Sequence, residues 1–300
     1  KPKTAYEILS GLVGSEMCIR DSYSNSCSVV SGGKEFKCKI RGRINLVVGD
    51  LVEIETASSN DSVEGIVTRR LDRASALYKS KDKVKKAIAA NITHIGILVT
   101  KNPKTNLEFI DKWITISINA SIKPFVIFNK IDLLPNDEFK EIQKIYEDIG
   151  IKTFKISAKL YTNIDTLKNY LLKKTAIFVG NSGSGKSTLT SAITGKRILS
   201  KALSNNQGVH TTSLSTLYNI DEMKIIDSPG VRDIDIDHLN LKDIILGFPE
   251  ILNHSLNCVF PNCSHQIDEG CAVKAALKND DIKESRYNNF IFLSNQEKSR

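Results

Sequence analysis

The order of two short patterns restricts the folds open to this chain. "FNKID" at 128–132 carries Asn129, Lys130 and Asp132 as N-K-x-D, whose amide and carboxylate suit the edge of a guanine base. "GNSGSGKST" at 180–188 carries Gly180, Gly185, Lys186 and Ser187 as G-x-x-x-x-G-K-[ST]. A site built from both patterns ordinarily has the phosphate loop first in the chain. Here it comes second. Domain termini often lie close together, so a chain can be cut and rejoined elsewhere without losing its fold. The inverted order therefore predicts a circularly permuted nucleotide-binding domain whose strands keep their spatial places.

The residue types explain the expected chemistry. The loop follows apolar "TAIFVG" and opens a helix, the context a phosphate cradle requires. Its glycines let the backbone curl until successive N–H groups face the phosphates, and the helix N-terminus adds partial positive charge. Gly180, Asn181, Ser182, Gly183, Ser184, Gly185, Lys186, Ser187 and Thr188 form this expected cradle. Lys186 reaches the outer phosphates, and Ser187 offers its hydroxyl to Mg²⁺. Asp132 can accept two hydrogen bonds from guanine, a donor pair that adenine lacks. Asn129 can bond the other edge, and the stem of Lys130 can cover the ring. The next strand ends in Ser157, Ala158 and Lys159, which match the loop that closes over guanine through backbone N–H.

"IIDSPG" supplies Asp227 and Gly230 of D-x-x-G. Asp227 is expected to hold Mg²⁺, and Gly230 to bring its N–H to the terminal phosphate. The polar stretch 196–213 contains Thr211 and Thr212, either of which could cap the magnesium. Many such sites place Gln after D-x-x-G to orient water; Val231 stands there and cannot do so. His238, eight residues past Gly230, can orient or activate water near neutral pH, or can be an ordinary surface histidine.

From 92 onward, apolar strands alternate with amphipathic helices near 107–120, 137–149, 163–173 and from Lys186. That alternation predicts a parallel sheet covered on both faces. Before it, 23–75 reads as four or five short strands, with a hairpin at Gly32-Gly33, suited to an oligonucleotide-binding (OB) type of barrel. "YKSKDKVKKAIAAN" at 78–91 carries Lys79, Lys81, Lys83, Lys85 and Lys86, either a phosphate grip or a solvated linker. Residues 1–22, containing "LVGSEMCIRDS", fit nothing downstream and read as a non-native leader. A net charge of +8 favours a polyanionic partner, with nucleic acid first. No apolar run is long enough for a membrane helix, no secretory signal is visible, and the cytoplasm is the expected location.

Near the C-terminus, Cys258, Cys263, His265 and Cys271 give C-x4-C-x-H-x5-C. Three thiolates and an imidazole make a closed tetrahedral site for structural zinc, able to hold a segment too short for its own core. The expected division is a leader at 1–22, a barrel at 23–75, a permuted GTPase domain at 76–240 and a mostly helical zinc domain at 241–300.

In this order, barrel, permuted GTPase and cysteine cluster resemble the RsgA family of circularly permuted, YjeQ-like bacterial GTPases. "AANITHIGILVT", "NKIDLL", "GNSGSGKST", "GVHTTS", "DSPGVRD" and "CVFPNCSHQIDEGC" carry the resemblance over about residues 23–295. It implies a magnesium-dependent GTP hydrolase stimulated by the small ribosomal subunit, binding that subunit and its rRNA during late maturation. It also implies a hydrolytic role for His238, beside Lys186 and Gly230. Nothing suggests more than a monomer. The competing expectations are a nucleotide-gated RNA-binding module without catalysis, a permuted GTPase acting on the large subunit, and an ATP-using enzyme.

Overall fold

The computed structural model describes residues 17–23, 25–56, 64–81, 84–135, 138–195 and 215–298. The chain divides into two compact units. One comprises 1–93, 169–177 and 194–234; the other comprises 94–168, 178–193 and 235–300.

The first unit begins with β1 (Cys18–Ser22), β2 (Ser26–Ser31), β3 (Lys34–Ile40), β4 (Val52–Thr56) and β5 (Gly65–Arg70). They form a five-stranded sheet ordered β1-β2-β3-β5-β4. A bridge from Cys18 to Leu51, beside β4, closes it into a barrel. Strand alternation turns Cys27, Val29, Phe36, Cys38 and Val67 inward. The same alternation leaves Glu35, Lys37 and Lys39 outside. Cys27 and Cys38 face each other across β2 and β3, and burial pushes their thiols up to about 11 and about 12. They are inert core side chains.

The leader assignment requires correction at its end. Residues 17–22 are part of the barrel: Ile19 is fully buried, and Ile19 and Val52 donate backbone hydrogen bonds to Asp50 and Met17. The alternation of Met17 and Ile19 supplies the apolar face that closure of the sheet needs.

The lysine-rich run is also not a linker. It forms an antiparallel hairpin of β6 (Ala76–Lys81) and β7 (Val84–Ala90). Its base buries Ala76, Leu77, Ala87, Ala89 and Ala90, while Lys85 and Lys86, nearer the turn, remain exposed. Lys83 lies outside the described residues. Arg73 joins the hairpin to the barrel end by donating to both oxygens of fully buried Asp50, at 2.6 and 2.8 Å.

The second unit contains β8 (His94–Val99), β9 (Lys123–Phe128) and β10 (Lys152–Lys155), paired in parallel. Every residue of β8 is buried, as a strand covered on both faces requires. Helices α1 (Leu107–Asn119), α2 (Lys140–Asp148) and α3 (Ile164–Leu171) alternate with these strands. Strand β11 (Thr175–Val179) precedes helix α4 (Lys186–Thr194); β12 (Thr216–Ile220) and β13 (Met223–Asp227) follow. The sheet order is β10-β9-β8-β11-β13-β12. Neighbours β11 and β13 are not consecutive in the chain, whereas β8, β9 and β10 are paired in sequence order. Strand β11 pairs in parallel with β13, and edge strand β12 pairs antiparallel with β13.

Beyond 240 the chain is helical, with α5 (Leu241–Ile244), α6 (Pro249–Ser255), α7 (Ala272–Lys278) and α8 (Glu284–Lys298). Asn240 and Asp243 start α5 with a reciprocal capping box. Arg286 on α8 is buried to 2% and reaches α1, donating to Asp111 at 2.6 Å. It also donates to Glu250 and to the carbonyl of Gly247.

Candidate nucleotide and metal sites

The base-reading and phosphate patterns meet through one side chain. Asn129 is 2% exposed, at the end of β9. Its Nδ2 donates to the Ser184 carbonyl at 2.9 Å, and its Oδ1 accepts from the Ala158 N–H at 3.1 Å. A single amide thus ties N-K-x-D, Ser157-Ala158-Lys159 and the phosphate loop together. The approach is so close that a Cβ on Gly185 would stand 2.4 Å from Asn129 Nδ2. Gly185 also has φ +94°, so glycine is required there on two counts.

Each loop is braced locally. Ser157 exchanges backbone hydrogen bonds with Thr162 and accepts from the Leu160 N–H through Oγ. Lys130 adopts a left-handed conformation, φ +65°, that starts the 3₁₀ turn Ile131–Leu133. Asp132 is exposed on that turn, where its carboxylate is accessible to a ligand. The Lys130 ammonium donates to the Asn102 carbonyl at 2.8 Å. Lys186 opens α4, and its ammonium bends back over the loop to the carbonyls of Gly180 and Asn181. Ser187 and Thr188 occupy the first turn of α4, Thr188 exposed.

Ser182 and Gly183 are exposed, whereas Ser184 turns its side chain beneath the loop. The Ser184 hydroxyl is fully buried and has no hydrogen-bond partner among the described residues, and the Ser184 N–H donates to the Asn181 carbonyl. This side chain therefore faces the protein interior.

Asp227 ends β13, and Gly230 lies in the 3₁₀ turn Pro229–Asp233 of the first unit. Val231 is buried at 3%, a core position. His238 is exposed on a turn of the second unit. Thr211 and Thr212 lie outside the described residues.

The cysteine cluster is assembled. Ligand atoms of Cys258, Cys263, His265 and Cys271 all lie within 4.8 Å of one another. His265 Nδ1 stands 3.7 Å from Cys258 Sγ and 3.6 Å from Cys271 Sγ. Tetrahedral bonds of about 2.3 Å to sulfur and 2.05 Å to nitrogen put neighbouring ligands about 3.6 Å apart, so the donor set fits a tetrahedral divalent cation. Desolvation opposes the Cys258 thiolate, but backbone N–H groups of Val273 and Ala272 hold its pKa below the usual thiol range. Burial pushes the Cys263 thiol up to about 12. The Lys274 N–H donates to Cys271 Sγ, and the Tyr287 hydroxyl donates to the His265 carbonyl at 2.7 Å.

Sequence reading missed three features: the Arg286–Asp111 pair, the Asn102 contact to Lys130 and the Tyr287 brace. The one acid in the apolar "FIDKWITIS" was the available signal for Asp111.

Comparison with known proteins agrees with this geometry. The family model described as RsgA GTPase matches residues 70–237. A protein of Actinobacillus pleuropneumoniae serotype 5b, named small ribosomal subunit biogenesis GTPase RsgA, is 35% identical over 274 residues, covering 86% of this chain and 78% of that protein. A Flavobacterium johnsoniae protein of the same name is 33% identical, with 86% of each covered. The crystal structure of YjeQ from Thermotoga maritima matches with a TM-score of 0.77 and 28% identity, over 95% of this chain and 99% of that one. YloQ, described as a circularly permuted GTPase, shares the fold with a TM-score of 0.77 and 20% identity, over 95% and 96%.

Proposed function

Because the chain belongs to the RsgA GTPase family, and is thus a GTP hydrolase of ribosome biogenesis, we propose that it hydrolyses GTP to GDP and phosphate while bound to the small ribosomal subunit, late in that subunit's maturation. The observation that carries the reading is the Asn129 side chain, which links both guanine patterns to the phosphate loop. Asp132 and Asn129 read the base, with Lys130, Ser157, Ala158 and Lys159 around it. The 180–188 loop holds the phosphates with Lys186. Ser187 and Asp227 hold Mg²⁺, which supplies charge neutralisation at the outer phosphates when bound. Gly230 approaches the terminal phosphate, and Thr211 or Thr212 completes the magnesium site.

Val231 is buried and apolar, so water must be oriented by another group. His238 is our candidate. It is exposed, carries the right chemistry and follows D-x-x-G. The cysteine–histidine cluster holds one structural zinc ion. The domains divide as a barrel at 23–75 extended by β1, a permuted GTPase domain at 76–240 and a zinc domain from 241. Exposed Lys37, Lys39, Arg41 and Arg43, with Lys85 and Lys86 of the hairpin, supply phosphate contacts to rRNA. The protein acts as a monomer in the cytoplasm.

The test is GTP turnover with and without purified small subunits. Stimulation supports the proposal, and equal measurable rates refute it. Turnover negligible in both cases favours the second reading, a nucleotide-gated RNA-binding module, for which buried Val231 is the motivating observation.

A further inference from the structure

The segment Thr100–Thr105, between β8 and α1, belongs to none of the base-reading, phosphate or metal patterns above. Yet it touches two of them, through residues that belong with it to the second unit. The Asn102 carbonyl accepts the Lys130 ammonium at 2.8 Å. The Pro103 ring lies against the phosphate loop: a Cβ on Gly183 would meet its Cδ at 3.4 Å and its Cγ at 3.5 Å. The segment is closed on itself by two buried threonines. Thr100 Oγ1 donates to the Pro103 carbonyl at 2.6 Å, and Thr105 Oγ1 accepts from the Thr100 N–H at 3.1 Å. The Thr105 N–H returns a bond to the Thr100 carbonyl at 2.9 Å. Thr100 and Thr105 are 2% and 5% exposed, so these bonds are sheltered from water.

We propose that the Thr100–Thr105 loop is a positioning element for guanine nucleotides, which anchors the Lys130 ammonium through the Asn102 carbonyl and holds Pro103 against the phosphate loop. The proposal rests on the nucleotide site described above and adds a part to it. A lysine whose ammonium is fixed at its far end has a stem ordered along one line. That ordering is completed before the base arrives, so binding does not have to supply it. The loop touches no reacting atom. Thr100, Pro103 and Thr105 are positioning residues acting through Lys130 and Gly183.

Thr100→Val keeps the shape and removes the hydroxyl that holds the Pro103 carbonyl; Thr100→Ser keeps the hydroxyl. The readouts are dissociation of a fluorescent GDP analogue from the full chain, and KM and kcat for GTP. Loss of one buried hydrogen bond predicts about fivefold faster GDP release in Thr100→Val, with the change in KM rather than kcat. Thr100→Ser should stay within twofold of the parent protein. In a Lys130→Ala background, Thr100→Val should have a clearly smaller effect, because only the route through Pro103 and Gly183 remains. An equal effect in both backgrounds would reduce the loop to ordinary structural support and overturn the proposal. So would unchanged release in Thr100→Val. The underlying site is checked separately with Asp132→Asn, which should shift preference from guanine to xanthine nucleotides. If the parent protein shows no guanine preference, the site assignment itself fails.

Discussion

Arg286→Met tests whether a buried charge cluster holds α8 to α1. Arg286 donates to Asp111 Oδ1 and Glu250 Oε1, both at 2.6 Å, to Glu250 Oε2 at 3.2 Å and to the Gly247 carbonyl at 2.9 Å. Its guanidinium also lies 4.3 Å from the centre of the Phe248 ring. Methionine replaces most of the volume and none of the charge. Fully buried Asp111 would keep only neutral donors, Tyr146 Oη at 2.9 Å and Asn289 Nδ2 at 2.6 Å. Leaving a buried charge uncompensated costs about 3–5 kcal/mol. With a urea dependence of about 3 kcal/mol/M, the midpoint should fall by about 1 M or more. Trp113, the sole tryptophan, is buried on the same helix and reports the transition.

The sign of the pH dependence follows from Asp111. Burial raises its folded-state pKa, against the lowering influence of Arg286. A carboxyl with a raised folded pKa contributes stability at low pH that is lost as pH climbs from the unfolded value of about 3.9 through the folded one. Without Arg286 the folded value rises further. The deficit of Arg286→Met should therefore be large at neutral pH and shrink as the medium is acidified towards about 4.5. Asp111→Asn in the same background should recover part of the loss, giving a coupling energy of about 2 kcal/mol. A midpoint shift under about 0.3 M, or a deficit independent of pH, would refute the reasoning.

Two further outcomes are expected. Ser184→Ala removes a buried hydroxyl without a partner and should raise stability by about 1–2 kcal/mol in urea titration, with the backbone bond to Asn129 retained; a loss of stability would contradict the burial reasoning. Tyr287→Phe removes the brace on the His265 carbonyl and should speed zinc transfer to a chromogenic chelator about tenfold in a protein that stays folded; unchanged transfer would place Tyr287 outside the support of the metal site.

Much of the site was legible because its chemistry is local in sequence. The phosphate loop needs glycines at fixed offsets, the base reader needs an amide and a carboxylate three residues apart, and the metal cluster lies within 258–271. Those spacings follow from short-range backbone geometry. The inverted order of two of them was enough to predict the permuted domain. The lysine run failed as a linker because charge toward the turn of a hairpin says nothing about its base, which buries Leu77 and Ala89. The boundary of the leader at 22 was misplaced because closure of a barrel, which takes in 17–22, depends on pairing with distant Leu51.

Other features depended on separations that no local pattern encodes. The Asn129 bonds to Ser184 and Ala158, the Asn102 clamp on Lys130 and the Arg286–Asp111 pair join residues 55, 29, 28 and 175 positions apart. Sequence alone determined which chemical groups the chain carries and which of them cluster within a turn or two. Tertiary structure decided which of those clusters share a site, because a hydrogen bond depends on distance and direction between atoms and is indifferent to how much chain lies between them.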